Sequence, residues 1–187
     1  MRLISGYARG VPLAVPKQDV RPTSDRVREA LFSILLPRLE EAKVLDLFAG
    51  TGALGLEALS RGAKSACFVE QNAAVIRVLE ANLTKSRLEG GRIMRQDAYR
   101  ALSYLAASGQ RFDLILADPP YTKGPQDIDH PTALFASPAL RECLSPEGML
   151  VLEVMSTKQP GTAPSGWTLC DQRDYGTTRL LFMTPEH

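Results

Sequence analysis

The chain has 187 residues, 44% of them hydrophobic, and a formal net charge of +1. That length suits one globular domain burying roughly 70% of the surface its unfolded form exposes, and no run of about 18 apolar residues exists to cross a bilayer. Cys67, Cys143 and Cys170 are widely spaced with no Cys-x-x-Cys pair, and His130 and His187 are the two histidines; reduced core thiols are expected, with no histidine-centred triad and no metal.

In chain order, residues 2–16 show short β-type runs broken by Gly6, Gly10, Pro12 and Pro16, which predicts a β-hairpin or extended arm over residues 1–20. The first residues lack the apolar run of a secretory leader, so a cytoplasmic protein is expected. Residues 1–28 carry six basic against two acidic side chains. Such a patch suits either phosphate groups or an ordinary solvated surface. Arg21-Pro22-Thr23-Ser24-Asp25 has the polar caps and first-turn acid of a helix start. Val27, Ala30, Leu31, Ile34 and Leu35 follow at helical spacing, predicting a helix on the sheet that ends near Pro37 and leaves Arg26 and Arg28 at its edges.

From Val44 onward strands and helices alternate. Val44–Phe48, Ala66–Glu70, Arg92–Arg95, Phe112–Ala117 and Met149–Val154 read as strands of a parallel sheet covered on both faces. Helices are expected from Asn72 to Lys85, through Leu102 and Leu105, and from about Pro131 to Leu144. Trp167–Cys170 and Thr178–Met183 then pair around Asp174-Tyr175-Gly176, giving an antiparallel last strand. The division is an arm at residues 1–20 and one α/β domain at residues 21–187.

The strand at Val44 runs into Gly50-Thr51-Gly52-Ala53-Leu54-Gly55 and a helix pattern. Glycine there permits unusual φ angles and close backbone approach, and free amides at the helix start would face a ligand. The same residues match the dinucleotide fingerprint, with Glu70 twenty residues past Gly50 to hold a ribose. Asp46 distinguishes the readings, because a carboxylate there would repel a pyrophosphate and attract a cationic ammonium group. Asp46-Leu47-Phe48-Ala49-Gly50-Thr51-Gly52 resembles motif I of the class I S-adenosylmethionine-dependent methyltransferases. In one crevice at the strand ends, Asp46 would then meet the methionine ammonium, Glu70 with Gln71 the ribose, and Asp97 with Ala98 the adenine.

Asp118-Pro119-Pro120-Tyr121 resembles motif IV of methyltransferases acting on exocyclic amines of nucleobases. Such an amine is a weak nucleophile because its lone pair is delocalised into the ring. The Asp118 carboxylate and Pro119 carbonyl would draw on its hydrogens and hold it in line, Pro120 would fix the turn, and Tyr121 would stack on an unstacked base.

With both motifs placed, the chain resembles the RsmD family over nearly its whole length. Arg21–Phe32 and Gly52–Gly62 are similar to that family's segments around motif I. The resemblance implies a Rossmann-like, mostly parallel seven-stranded sheet with helices on both faces and a short N-terminal β arm. It implies methyl transfer from S-adenosylmethionine, with S-adenosylhomocysteine as product, to the 2-amino group of a guanine in small-subunit ribosomal RNA. The partner would be assembled or partly assembled small subunits, acted on by a monomer. By the same resemblance Thr23 and Arg26 would lie at the cofactor and substrate end of the cleft, and Arg9, Arg21 and Arg28 would touch RNA phosphates. Val11 and Pro12 depart from the basic residue common in the family's arm, and the Gly124–Pro131 loop is longer and more acidic than the pattern. A DNA amino-methyltransferase, a nicotinamide-dependent oxidoreductase and a non-catalytic RNA-binding assembly factor remain as alternatives.

Overall fold

The computed structural model describes residues 1–16, 24–121, 124, 126–156 and 163–186. Seven strands run in chain order as β1 Lys43–Asp46, β2 Ser65–Glu70, β3 Gly91–Arg95, β4 Phe112–Ala117, β5 Leu144–Met155, β6 Trp167–Tyr175 and β7 Thr178–Pro185. They form one sheet ordered β3-β2-β1-β4-β5-β7-β6. The first five strands are mutually parallel, while β7 is antiparallel to both β5 and β6.

The helices are α1 Asp25–Leu35, α2 Ala53–Ser60, α3 Ala73–Ser86, α4 Ala98–Ala107, α5 His130–Phe135 and α6 Pro138–Glu142. They divide between the faces because side chains alternate along each strand. Val44, Phe68, Leu114, Leu116, Val151, Leu180 and Phe182 bury with Val27, Leu31 and Phe32 of α1, Leu56 of α2 and Leu79 of α3. On the other face Leu45, Val69, Ile115, Leu150, Leu152 and Leu181 bury with Leu102 of α4, Leu134 of α5 and Leu140 of α6. The expected single helix before β5 is two short ones, since Ser137 caps a fresh start at Pro138 by accepting from Leu140 N.

Residues 1–16 are folded back onto the α1, α2 and α3 face. Residues 1–3 and 10–13 pair as a short hairpin, Leu3 N donating to Val11 O at 3.0 Å, Leu13 N to Met1 O at 3.1 Å and Gly10 N to Leu3 O at 2.8 Å around one antiparallel bridge, Arg2 to Pro12. Leu3, Ala8 and Leu13 are buried in the core. The tip is fixed at the far end of α2, where Tyr7 N donates to Ser60 O at 2.7 Å and Ala8 N to Ser60 Oγ at 2.9 Å. Cys67 and Cys143 are core thiols as expected, but Cys170 is exposed on β6.

Candidate active site

The order of strands reverses between β1 and β4, and in open α/β sheets ligands bind in the crevice beyond the carboxyl ends of the strands at such a switch point. Asp46 ends β1 opposite Leu116 of β4, so Asp118 lies two residues further on, roughly 7 Å along the strand direction. This register brings the glycine turn and Asp118-Pro119-Pro120-Tyr121 to the same mouth.

Asp46 is 1% exposed. Its Oδ2 accepts from Gly55 N at 2.9 Å, fixing the first turn of α2 to β1, while Oδ1 is buried without a hydrogen-bond partner. Burial pushes the carboxyl up to about 7 against the opposing Gly55 amide bond, and the Glu70 charge adds to the rise. A buried carboxylate oxygen left this way suits a cationic or donating ligand group.

Glu70 closes the turn from β2, accepting from Gly50 N at 3.1 Å and from Asn72 N at 2.7 Å. An ionised carboxylate has about four acceptor positions, so two amides leave capacity for hydroxyl donors. The two turn glycines differ in purpose. Gly50 has φ +52° and a Cβ there would meet nothing nearer than Phe48 O at 4.0 Å, which leaves its backbone open to close approach by a ligand. Gly52 caps α2 at φ +81°, and a Cβ there would also stand 2.3 Å from Leu79 Cδ1, so backbone conformation and helix packing both call for glycine. Ala49 N donates to Val69 O, and the buried Thr51 gives its carbonyl to Asn82 Nδ2 at 3.0 Å. Asn82 also exchanges bonds with Ala14, at 2.8 Å and 3.0 Å, tying the N-terminal segment to the turn.

Asp97 caps α4, its Oδ1 accepting from Tyr99 N and Arg100 N, both at 3.1 Å. Ala98 beside it is buried and Gln71 is exposed. Phe48 of the glycine motif is joined at this end by Tyr99 and His130, which no sequence motif marks, in an aromatic wall. Tyr99 stacks on His130 with ring centroids 5.9 Å apart, Phe48 meets His130 edge-on at 5.2 Å, and Tyr99 Oη lies 2.8 Å from His130 Nδ1. Burial lowers the His130 pKa and raises that of Tyr99 to about 12, so at neutral pH a neutral phenol and a neutral imidazole share one hydrogen bond whose donor is set by the imidazole tautomer.

Pro119 is buried, Asp118 half-buried and Pro120 exposed. The Tyr121 hydroxyl donates to Glu153 Oε1 at 3.0 Å, and Thr178 Oγ1 donates to the same oxygen at 3.3 Å. Burial, with the Glu153 charge, pushes the Tyr121 phenol up to about 12 despite a lowering bond from Thr178. Glu153, 8% exposed on β5, was also missed; a lone carboxylate within the apolar run Met149–Val154 was its signal, the same one that marked Asp46.

Arg28 requires a correction. It is fully buried, donates to Arg2 O, and pairs with Asp25 at 3.0 Å and with Glu57 at 4.0 Å. A side chain sealed in this way does not reach RNA phosphates. Glu57 in turn accepts from Ile4 N, Ser5 N and Arg61 Nε at 2.8, 3.1 and 2.7 Å. Together they clamp the N-terminal segment. Arg26 is exposed at the start of α1, and Arg9 is exposed on the segment's tip, away from the crevice. Arg21 and Thr23 lie outside the described residues.

The family described as Conserved hypothetical protein 95 matches residues 1–184. The chain is 43% identical over 125 residues to ribosomal RNA small subunit methyltransferase D of Escherichia coli K12, a match covering 66% of this chain and 62% of that protein. It is 32% identical over 179 residues to the protein of the same name from Haemophilus influenzae, covering 94% and 89% of the two chains. The chain belongs to the RsmD family. The match thus spans about three fifths of the Escherichia coli relative and nearly all of the Haemophilus influenzae one. A solved structure of a hypothetical protein from Thermus thermophilus superposes with a TM-score of 0.82 at 32% identity, covering 98% of this chain and 99% of that one. The RsmD-family sheet, mostly parallel with β7 reversed, is that of the class I S-adenosylmethionine-dependent methyltransferases. The residues fit that cofactor's chemistry: an unpartnered buried carboxylate oxygen on Asp46 for an ammonium, a turn glycine, Gly50, with no close neighbour, and Glu70 with acceptor capacity left for hydroxyls.

Proposed function

We propose that this protein transfers a methyl group from S-adenosylmethionine to the exocyclic 2-amino group of a guanine in small-subunit ribosomal RNA. The observation that carries the proposal is the adjacency of Asp46, with its unpartnered oxygen, and Asp118-Pro119-Pro120-Tyr121 at the ends of two paired strands. A cofactor subsite and an acceptor subsite thereby share one mouth, and the relatives' names support ribosomal RNA as the substrate.

When bound, S-adenosylmethionine supplies an electrophilic methyl group on a sulfonium. Asp46 would hold the ammonium, Glu70 with Gln71 the ribose hydroxyls, and Phe48 with Ala98 would flank the adenine, Asp97 standing at its edge. The Asp118 carboxylate and the Pro119 carbonyl would accept the two hydrogens of the guanine amine and aim its lone pair at the methyl carbon. Tyr121, tethered through its hydroxyl, would present its ring to the base in a fixed orientation. Proton loss follows carbon–nitrogen bond formation, when the nitrogen has become acidic, and passes to Asp118 or to water. Positioning and electrostatics, rather than a strong base, supply the rate.

Substitution of Asp118 by Ala tests the assignment. S-adenosylhomocysteine affinity should stay within about threefold while methyl transfer to small ribosomal subunits falls at least a hundredfold. Retained transfer would contradict it, and cells that grow and assemble subunits normally with the variant would favour a binding factor.

A further inference from the structure

A cavity of about 380 Å³ opens between the start of α1 and the β6–β7 turn, lined by Ser24, Arg26, Val27, Asp174, Tyr175 and Gly176. Because β7 runs antiparallel to β5 and Met155 pairs with Thr178, this turn stands at the carboxyl end of the sheet, beside the crevice. Thr178, two residues past Gly176, shares the Glu153 carboxylate with Tyr121. The cavity wall and the acceptor motif are thus joined through one buried group.

We infer that this cavity is a docking site for the ribonucleotide next to the target base, its phosphate held by Arg26 and its base stacked on Tyr175. The inference rests on the RNA methyltransferase reading above. Its volume lies in the range of small-molecule clefts, about 300–1,000 Å³. Asp174 is neutralised by Arg179, whose Nε and Nη2 donate at 2.7 and 3.1 Å. Arg26 forms no ion pair among the described residues and is exposed, which leaves the mouth a net positive charge. Tyr175 is half-buried against the apolar layer beneath α1, so the ring is seated before any ligand arrives. A fixed aromatic face beside an unpaired guanidinium is the donor set that binds single-stranded nucleotides. A base drawn out of its stack leaves its neighbour exposed, and this site would receive it.

The test uses the isotope-labelled full chain saturated with S-adenosylhomocysteine, titrated with a tetraribonucleotide of adenosines and followed by amide NMR. Shifts are expected at Arg26, Val27, Tyr175 and Gly176. Tyr175→Ala should weaken binding about tenfold and Tyr175→Phe less than twofold, while Arg26→Ala should lower the salt slope by about 0.7. On small ribosomal subunits Tyr175→Ala should raise KM about tenfold with kcat within threefold. Shifts elsewhere, equal binding by Tyr175→Ala and Tyr175→Phe, or a loss of S-adenosylhomocysteine affinity in Arg26→Ala would each overturn the inference. A wild-type chain that methylates no RNA yet shows these shifts would overturn the methyl-transfer reading and uphold nucleotide docking.

Discussion

Asp46 carries opposite costs in its free and ligand-bound states. With its carboxyl pushed up to about 7, the folded chain holds a proton that the unfolded chain releases above about pH 4. Folding stability therefore falls as pH rises from about 4 to 7 and levels beyond, a loss on the order of a few kcal/mol. Asp46→Asn removes that cost and keeps an acceptor for Gly55, so it should raise the urea midpoint at pH 8 while weakening S-adenosylhomocysteine at least tenfold. Wild-type affinity should be flat above pH 7 and fall toward pH 5.5, because an ammonium group prefers the ionised carboxylate. Flat affinity over the whole range would remove Asp46 from the cofactor site. Glu153 accepts from the Tyr121 hydroxyl, and under the proposed function it would act through Tyr121 as a positioning residue. Glu153→Ala should lower kcat by about 10- to 100-fold with S-adenosylhomocysteine affinity unchanged, and Glu153→Gln, which retains an acceptor for both hydroxyls, should recover most of it. Equal losses in the two variants would point to simple destabilisation.

At the scale of elements, the strands and the helices between them were legible because their apolar periods are distinct: β4 occupies the expected Phe112–Ala117, and α3 departs by one residue at each end. Arg28 was misread for a reason visible afterwards. It stands three, four and seven residues before Leu31, Phe32 and Leu35, on the buried face of α1, and a charge there is hidden from any hydrophobicity count. Its partner Glu57 sits in another helix, and pairings between distant segments leave no local pattern. Tyr99 and His130, which complete an aromatic wall with Phe48, were illegible for the same reason, since they come from the starts of two separate helices, α4 and α5. Breaking a buried ion pair by removing one partner costs about 3–5 kcal/mol. Because Glu57 retains Arg61 and two amides, Arg28→Ala should cost about 3 kcal/mol in urea unfolding. A cost below about 1 kcal/mol with weakened RNA binding would return Arg28 to the RNA surface.

For the molecule as a whole, the order of strands has functional weight. β1 and β4 meet where that order reverses, so two motifs 72 residues apart in the sequence share one opening. The reversed β7 brings the β6–β7 turn back to the same opening, and the N-terminal segment, locked through Glu57 and Asn82, braces α2 and the glycine turn from behind. The exposed Arg9 and Tyr7 stand at the other end of α2, so any RNA they touch lies apart from the reacting base. Asp46, Glu70 and Asp118 were readable as acids at strand ends. Their grouping depends on strand register, which periodicity does not encode.

The most direct measurement is transfer of a labelled methyl group from S-adenosylmethionine to small ribosomal subunits from cells lacking this gene, followed by digestion to nucleosides. Label recovered as 2-methylguanosine is the expected result. Label in another nucleoside, or acceptance of methyl by DNA and not by subunits, would contradict it.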